Sequence, residues 1–326
     1  MKKIAIDIVA PSSPLSKDVL KKGITRIAKE GALVSVDSQC YLSSGFYAGP
    51  DMLRVEAFLR AAYNPISSVV WSARGGYGAQ RLLPYLDLFS TVNGCPPKKM
   101  FVGYSDSSAF YGFLKKKWKW SILHAPMPGR EDFLKMSSKN FHQMMEFVHG
   151  EIAKNVCFEK IKFLGKLKFQ EEQNFQIFGG NLSVLVSLIG TPYWSFPRGG
   201  VLFLEEVAEN FTKIDRMVQQ LDQAKVFSKC AGIVLGGLYS CEDRLPSGAQ
   251  RKKISHLKAL ELIFGEIGKK WKIPIAYGLS VGHQPKALAL PMFARWKYQT
   301  LNKKLVLDHW SWFGASSKRA KIIDIT

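Results

Sequence analysis

The chain has 326 residues, 47% hydrophobic and 22% charged, with a formal net charge of +20 at pH 7. That length suits two domains sharing an interface, and no apolar run approaches the roughly 18 residues of a membrane-spanning helix. The basic runs, Lys115-Lys116-Lys117 with Lys119, alternate lysines from Lys160 to Lys168, Arg251-Lys252-Lys253, Lys269-Lys270 and Lys318-Arg319, are dispersed, which suits a solvated surface better than one nucleic-acid footprint.

Met1-Lys2-Lys3 followed by Ile4 to Val9 imitates a signal peptide, but Asp7 interrupts the apolar part and Pro11 ends it, so a first strand is expected. A helix follows from Ser16 to about Glu30, with Val19, Leu20, Ile24 and Ile27 near helical spacing, and then a second strand from Ala32 to Val36. Pro50-Asp51 opens a helix through Ala62, and Ser68 to Trp71 returns to the sheet. That strand runs into Arg74-Gly75-Gly76-Tyr77-Gly78, where side-chain-free backbone can approach an anion. The spacing is not the G-x-G-x-x-G of a dinucleotide site.

Met100 to Tyr104 predicts the next strand, Ser108 to Leu114 a helix, and Ile122 to His124 a short strand. Alternating short apolar and longer amphipathic runs are the pattern of a parallel sheet covered by helices. A polar helix from Ser137 to His149 and alternation across Gly165, read as a hairpin, lead into the second half. There a helix follows Gly179-Gly180-Asn181, a strand from Gly199 ends at Glu205-Glu206, and a helix spans Lys213 to Leu221. Ala231 to Leu238 predicts a strand, Ser255 to Ile267 a helix, and Ile273 to Tyr277 a strand entering Gly282-His283. Alternation over Ala287 to Trp296 and near Leu305 suggests a closing hairpin. Cys40, Cys95, Cys157, Cys230 and Cys241 form no Cys-x-x-Cys pair, so neither a metal cluster nor a disulfide framework is expected; reduced, buried thiols are.

Three polar residues thus stand at strand ends: Ser105, Glu205 and His283. A hydroxyl nucleophile needs a base, imidazole titrates nearest neutrality, and a carboxylate at the second ring nitrogen fixes its tautomer. Taken singly, a Ser-Asp pair such as Ser105-Asp106 is more often a helix cap, and a histidine in a glycine-rich turn such as His283 more often structural.

The blocks Arg74-Gly75-Gly76-Tyr77-Gly78, Gly103-Tyr104-Ser105-Asp106, Gly179-Gly180-Asn181-Leu182, Leu204-Glu205-Glu206 with Ile214-Asp215-Arg216, and Gly282-His283 resemble, in order, those of the LD-carboxypeptidases. The resemblance implies an α/β protein with an N-terminal flavodoxin-like parallel-sheet domain and a C-terminal swivelling β/α domain. The expected boundaries are 1–130, a linker and hairpin over 131–175, and 176–326. It implies Ser105 as nucleophile, His283 as base and then acid, and Glu205 as third member, with Glu206 the fallback because relatives often have Asp there. Asp106 and Gly75 or Gly76 would supply the oxyanion hole, and Arg74 and Asn181 substrate contacts. It further implies a homodimer, with no metal or organic cofactor, that removes D-alanine from muropeptide tetrapeptides; the unpaired cysteines fit a cytoplasmic location. Two alternatives stay open: a microcin-immunity type of peptidase acting on peptidyl or aminoacyl nucleotides, for which Tyr193 or Trp194 would supply base stacking, and an inactive basic protein binding wall polymer or nucleic acid.

Overall fold

The computed structural model of the chain describes residues 3–150, 156–171, 173–242, 254–284, 286–310 and 312. The basic runs at 251–253 and 318–319 lie outside them. Strands β1 (Ala5–Val9), β2 (Leu33–Val36), β3 (Val69–Ser72), β4 (Met100–Gly103) and β5 (Ser121–His124) pair in parallel in the order β5-β4-β3-β1-β2. All four residues of β3, β4 and β5 are buried, as expected of strands covered on both faces. Helices Lys17–Lys29, Asp51–Tyr63 and Leu83–Asn93 follow β1, β2 and β3. The Ser16 hydroxyl caps the first of them by accepting from Val19 N at 3.4 Å. This strand order is that of a flavodoxin-like sheet.

The second sheet is built from β6 (Cys157–Phe158), β7 (Lys162–Leu164), β8 (Asn174–Asn181), β9 (Gly200–Val207), β10 (Cys230–Tyr239) and β11 (Ile275–Tyr277). Beyond β12 (Leu290–Met292), it is completed by β13 (Arg295–Gln299) and β14 (Lys304–His309). Its order is β6-β14-β13-β8-β9-β10-β11-β7, with β8 to β11 mutually parallel. Helices Phe211–Gln223 and His256–Trp271 connect the parallel strands.

Four expectations are corrected. The hairpin expected across Gly165 does not form: residues 166–171 after it are in no strand, and before it β6 pairs with β14 and β7 with β11, at opposite edges of the sheet, because alternation reports a half-buried strand without naming its partner. The closing hairpin is β13–β14, whereas β12 crosses to the first sheet and pairs antiparallel with β5, Leu290 opposite His124. The segment after β4 is not one α-helix but a 3₁₀ turn (Ser105–Phe110), a short α turn (Tyr111–Phe113) and a π turn (Leu114–Trp118). Cys95 is exposed and Cys157 partly so, unlike the other three cysteines.

That irregular segment is seated on an aromatic cluster. Phe58, fully buried, places its ring 4.9 Å from Phe110, 5.9 Å from Phe101, 6.2 Å from Trp118 and 6.5 Å from Trp120. Phe58→Ala removes the shared neighbour of all four rings. A loss of about 3–5 kcal/mol in unfolding free energy is expected by urea denaturation; a loss below about 1 kcal/mol contradicts this packing account.

Candidate active site

Strand β4 ends at Gly103, and the chain turns at Ser105 with φ of 61°. A serine in the left-handed region is strained and persists only where its surroundings enforce it. Tyr111 Oη donates to Gly103 O at 2.6 Å, Ser107 N to Tyr104 O at 3.2 Å, and Ser107 Oγ to Ser72 Oγ at 2.9 Å. The Ser105 hydroxyl, half-buried, bonds to no described residue. Asp106 does not cap its own helix. Its Oδ2 accepts from Ala79 N at 2.8 Å, tying the serine turn to the glycine loop after β3. Burial pushes this carboxyl up, against the pull of its hydrogen bonds and of Arg54.

Gly75 lies against the serine. A Cβ built on it would sit 2.8 Å from Ser105 Cβ and 2.9 Å from Oγ, so only glycine fits. Gly76 leans instead on Ser13, whose hydroxyl accepts from Tyr77 N at 3.0 Å. Of the two glycines, Gly75 is the one beside the hydroxyl. The Asp106 N–H belongs to the first helical turn, where amides lack an intrahelical acceptor.

Glu205, near the C-terminal end of β9, has no exposed surface, and its Oε2 lies 2.7 Å from His283 Nδ1 and accepts from His283 N at 3.3 Å. Burial pushes the Glu205 carboxyl up. The charge and hydrogen bond of His283, with smaller contributions from His124 and Asn181, outweigh that and hold it below the usual carboxylate range. Gly282, with φ of 95°, permits the approach; a Cβ there would lie 2.7 Å from Glu205 Oε2. The loop is fixed by Gly237 N on Val281 O (2.9 Å), Leu288 N on Ser280 O (2.7 Å), and Gln284 Nε2 on Leu279 O (2.7 Å). Tyr104, next to the serine, packs its ring 4.5 Å from the His283 ring. The structure therefore brings Glu205 and His283 into contact and places Ser105 beside Tyr104, while no Ser105–His283 hydrogen bond is formed in this state.

Glu206 points elsewhere, as neighbours on a strand must. It accepts from Asn181 Nδ2, Ser183 N and Val207 N, each at 2.9 Å. Its carboxyl is raised by burial, which these bonds only partly offset. Asn181 is buried, its Oδ1 capping the helix Leu182–Ser187 by accepting from Val184 N at 3.3 Å. Its backbone N–H meets Ser108 Oγ at 3.2 Å, linking β8 to the serine segment. Its amide is thus engaged in holding Glu206 and the helix. Arg74 donates through Nη1 to Pro14 O, and its guanidinium is shifted down by burial and by nearby Arg130.

Sequence reasoning missed four side chains. His124, at the end of β5, is 1% exposed; its Nδ1 lies 3.0 Å from Tyr111 Oη. Because Tyr111 donates to Gly103 O, His124 Nδ1 carries the proton given to Tyr111. Burial, joined by His283 and opposed by Glu205, pushes His124 down to about 4, so it is neutral at pH 7. Its position at a strand end was the available signal. Tyr104, Arg130 and Asp132 carried none, because they meet only in the folded chain: Tyr104 Oη donates to Asp132 Oδ2 at 2.5 Å, and Arg130 Nε lies 3.0 Å from the same oxygen. A cavity of about 380 Å³ beside His283 and Gly282 includes all three in its wall. Tyr193 and Trp194 do not reach it; their rings pack on Phe113 and Phe196 at 6.1 and 4.8 Å. Among the described residues, no group of three or more His, Cys, Asp or Glu is arranged to hold a metal ion.

The families described as LD-carboxypeptidase N-terminal domain and LD-carboxypeptidase C-terminal domain match residues 6–125 and 176–297. A Rickettsia conorii protein named as a carboxypeptidase is 30% identical over 243 residues, 72% of this chain and 74% of that one. The murein tetrapeptide carboxypeptidase of Pseudomonas aeruginosa is 26% identical over 88% of this chain and 90% of its own length. Among solved structures, the muramoyltetrapeptide carboxypeptidase from Oxalobacter formigenes is similar with a TM-score of 0.74 at 24% identity, covering 94% of this chain and 100% of that one. MccF in complex with glutamyl sulfamoyl guanosine is similar with a TM-score of 0.77 at 19% identity, covering 96% and 98%. These two likenesses show the fold.

A neutral buried His124 has a stability signature. Its native pKa lies below the unfolded value, so unfolded chains bind a proton that native ones refuse between about pH 6.5 and 4. Stability that is complete above pH 6.5 therefore falls as the pH drops toward 4, by about 3 kcal/mol from this group. Denaturant unfolding at pH 7 and 4.5 is expected to show a smaller loss in His124→Gln than in wild type; equal losses contradict the assignment.

Proposed function

The chain belongs to the LD-carboxypeptidase family of serine-type carboxypeptidases, and we propose that it removes the terminal D-alanine from the meso-diaminopimelate of muropeptide tetrapeptides through an acyl-enzyme on Ser105. The carrying observation is the 2.7 Å contact of His283 Nδ1 with the buried Glu205 carboxylate, beside a serine held in the left-handed region. Glu205 accepting at Nδ1 leaves Nε2 as the basic nitrogen of the neutral ring. Ser105 Oγ attacks the carbonyl carbon of the diaminopimelate L-centre as Nε2 takes the hydroxyl proton. The developing oxyanion faces the N–H groups of Asp106 and Gly75. As the C–N bond breaks, His283 returns the proton to the departing amine of D-alanine. Water then attacks the acyl ester, His283 accepts its proton, and the ester C–O bond breaks to restore the serine hydroxyl and free the tripeptide.

The names of the murein and muramoyltetrapeptide relatives support the substrate. In this reading the enzyme works as a cytoplasmic homodimer, with the nucleophile in a domain over 1–130 and Glu205 and His283 in one over 176–326. The nucleotide-substrate alternative rests on base stacking by Tyr193 or Trp194, and both pack away from the cavity, whose wall includes Tyr104 and Tyr239 instead. The inactive-binder alternative sits poorly with a buried carboxylate already paired to His283.

Purified protein is expected to release D-alanine from L-Ala-γ-D-Glu-meso-diaminopimelate-D-Ala, and Ser105→Ala to slow release by roughly 10⁴-fold or more. Undiminished release by that variant removes Ser105 from the mechanism. Gly75→Ala, whose methyl would displace the serine, is expected to lower kcat by roughly 10²-fold with an unchanged circular dichroism spectrum; full activity would contradict the tight packing of Gly75 on Ser105.

A further inference from the structure

The cavity beside His283 is basic where substrate would enter it: its wall includes Arg130, Lys135 and Lys286 against the single carboxylate of Asp132. Both lysines are exposed, whereas the Arg130 side chain is only 31% exposed. Arg130 is also the one cation held in a fixed pose. Its Nε lies 3.1 and 3.0 Å from the two Asp132 oxygens, and its guanidinium carbon sits 5.9 Å from the Tyr104 ring centroid. Asp132 is itself fixed by the Tyr104 hydroxyl. A guanidinium carries five N–H donors, and with Nε on Asp132 and a further contact to Tyr104, donors remain for another partner. Arg74, the cation expected from the sequence, is instead committed to Pro14 O and absent from the cavity wall.

The proposed reaction decides which part of the substrate enters. His283 hands its proton to the leaving amine, so the departing residue lies on the His283 side of the scissile bond. Its carboxylate is one carbon from that amine, roughly 2.5 Å away by bond geometry. A carboxylate entering a half-buried cavity loses water and needs a charged, oriented donor in return. A guanidinium offers two parallel N–H groups that match both carboxylate oxygens, which a mobile lysine does not.

We propose that Arg130 binds the terminal carboxylate of the substrate and so makes the enzyme a carboxypeptidase rather than an endopeptidase. This rests on the reading of the site given above. The Asp132–Tyr104 network holds the guanidinium and the Tyr104 face packed on His283 in one rigid unit, so the carboxylate and the general acid are positioned together.

The test compares two substrates, the tetrapeptide ending in D-alanine and the same peptide ending in D-alaninamide, with wild type, Arg130→Gln and Arg130→Lys. Wild type is expected to prefer the free acid by roughly 10- to 100-fold in kcat/KM, the range of a charged hydrogen-bonded contact. Arg130→Gln is expected to lose that preference through a higher KM for the acid, so that its acid-to-amide ratio of kcat/KM falls toward one. Arg130→Lys keeps a cation opposite Asp132 and is expected to fall between the two. A variant that loses activity equally on both substrates, or keeps the wild-type preference, overturns the role of Arg130 while leaving the serine mechanism standing. Wild-type protein that cleaves neither peptide overturns the mechanism, and the carboxylate site with it.

Discussion

A carboxylate with no exposed surface governs the arrangement of this molecule. Glu205 sits where β9 runs out of the second sheet, and an ionised group there is tolerable only with hydrogen bonds to its charged form. His283 supplies them, through its ring Nδ1 and its backbone N–H. The pairing needs the histidine loop to pass within contact distance of β9, and the loop is placed by the topology. It leaves β11 in the second sheet and ends at β12, which hydrogen-bonds to β5 in the first. The histidine is therefore suspended between the two sheets, on the side where the parallel strands end and where crevices of such folds form.

Ser105, the proposed nucleophile, is held from the other side by contacts that involve neither Glu205 nor His283. Ser105 is kept in the left-handed region by the tyrosine at 111, by the serine at 107, and by the aspartate at 106 bonded into the glycine loop. Strain of this kind is stable only in a rigid surround, and the aromatic cluster about Phe58 beneath the turn supplies one. Two separately rigid supports meet where Tyr104 stacks on His283.

The regular part of the fold was legible in sequence because buried parallel strands are continuous apolar runs, so β1, β3, β4, β9 and β10 fell within a residue or two of their expected bounds. The placements of Ser105, Glu205 and His283 at or after strand ends were legible for the same reason, as polar groups where apolar runs stop. Pairing was not legible: the alternation across Gly165 looked like one hairpin, and β12 like part of another, because hydrophobic alternation is set by burial and not by the identity of the neighbouring strand. Asn181 read as a ligand contact and turned out to be occupied with Glu206 and a helix terminus. Tyr104, Arg130 and Asp132 interact through a turn whose geometry no local pattern encodes.

The most direct measurement is covalent labelling with a serine-directed fluorophosphonate, the modified residue being located by peptide mass mapping. The account predicts a single adduct on Ser105, formed at a rate that falls sharply in Glu205→Ala and in His283→Ala, since the pair supplies the base. An adduct on another residue, or labelling of Ser105 at an undiminished rate in both variants, contradicts it.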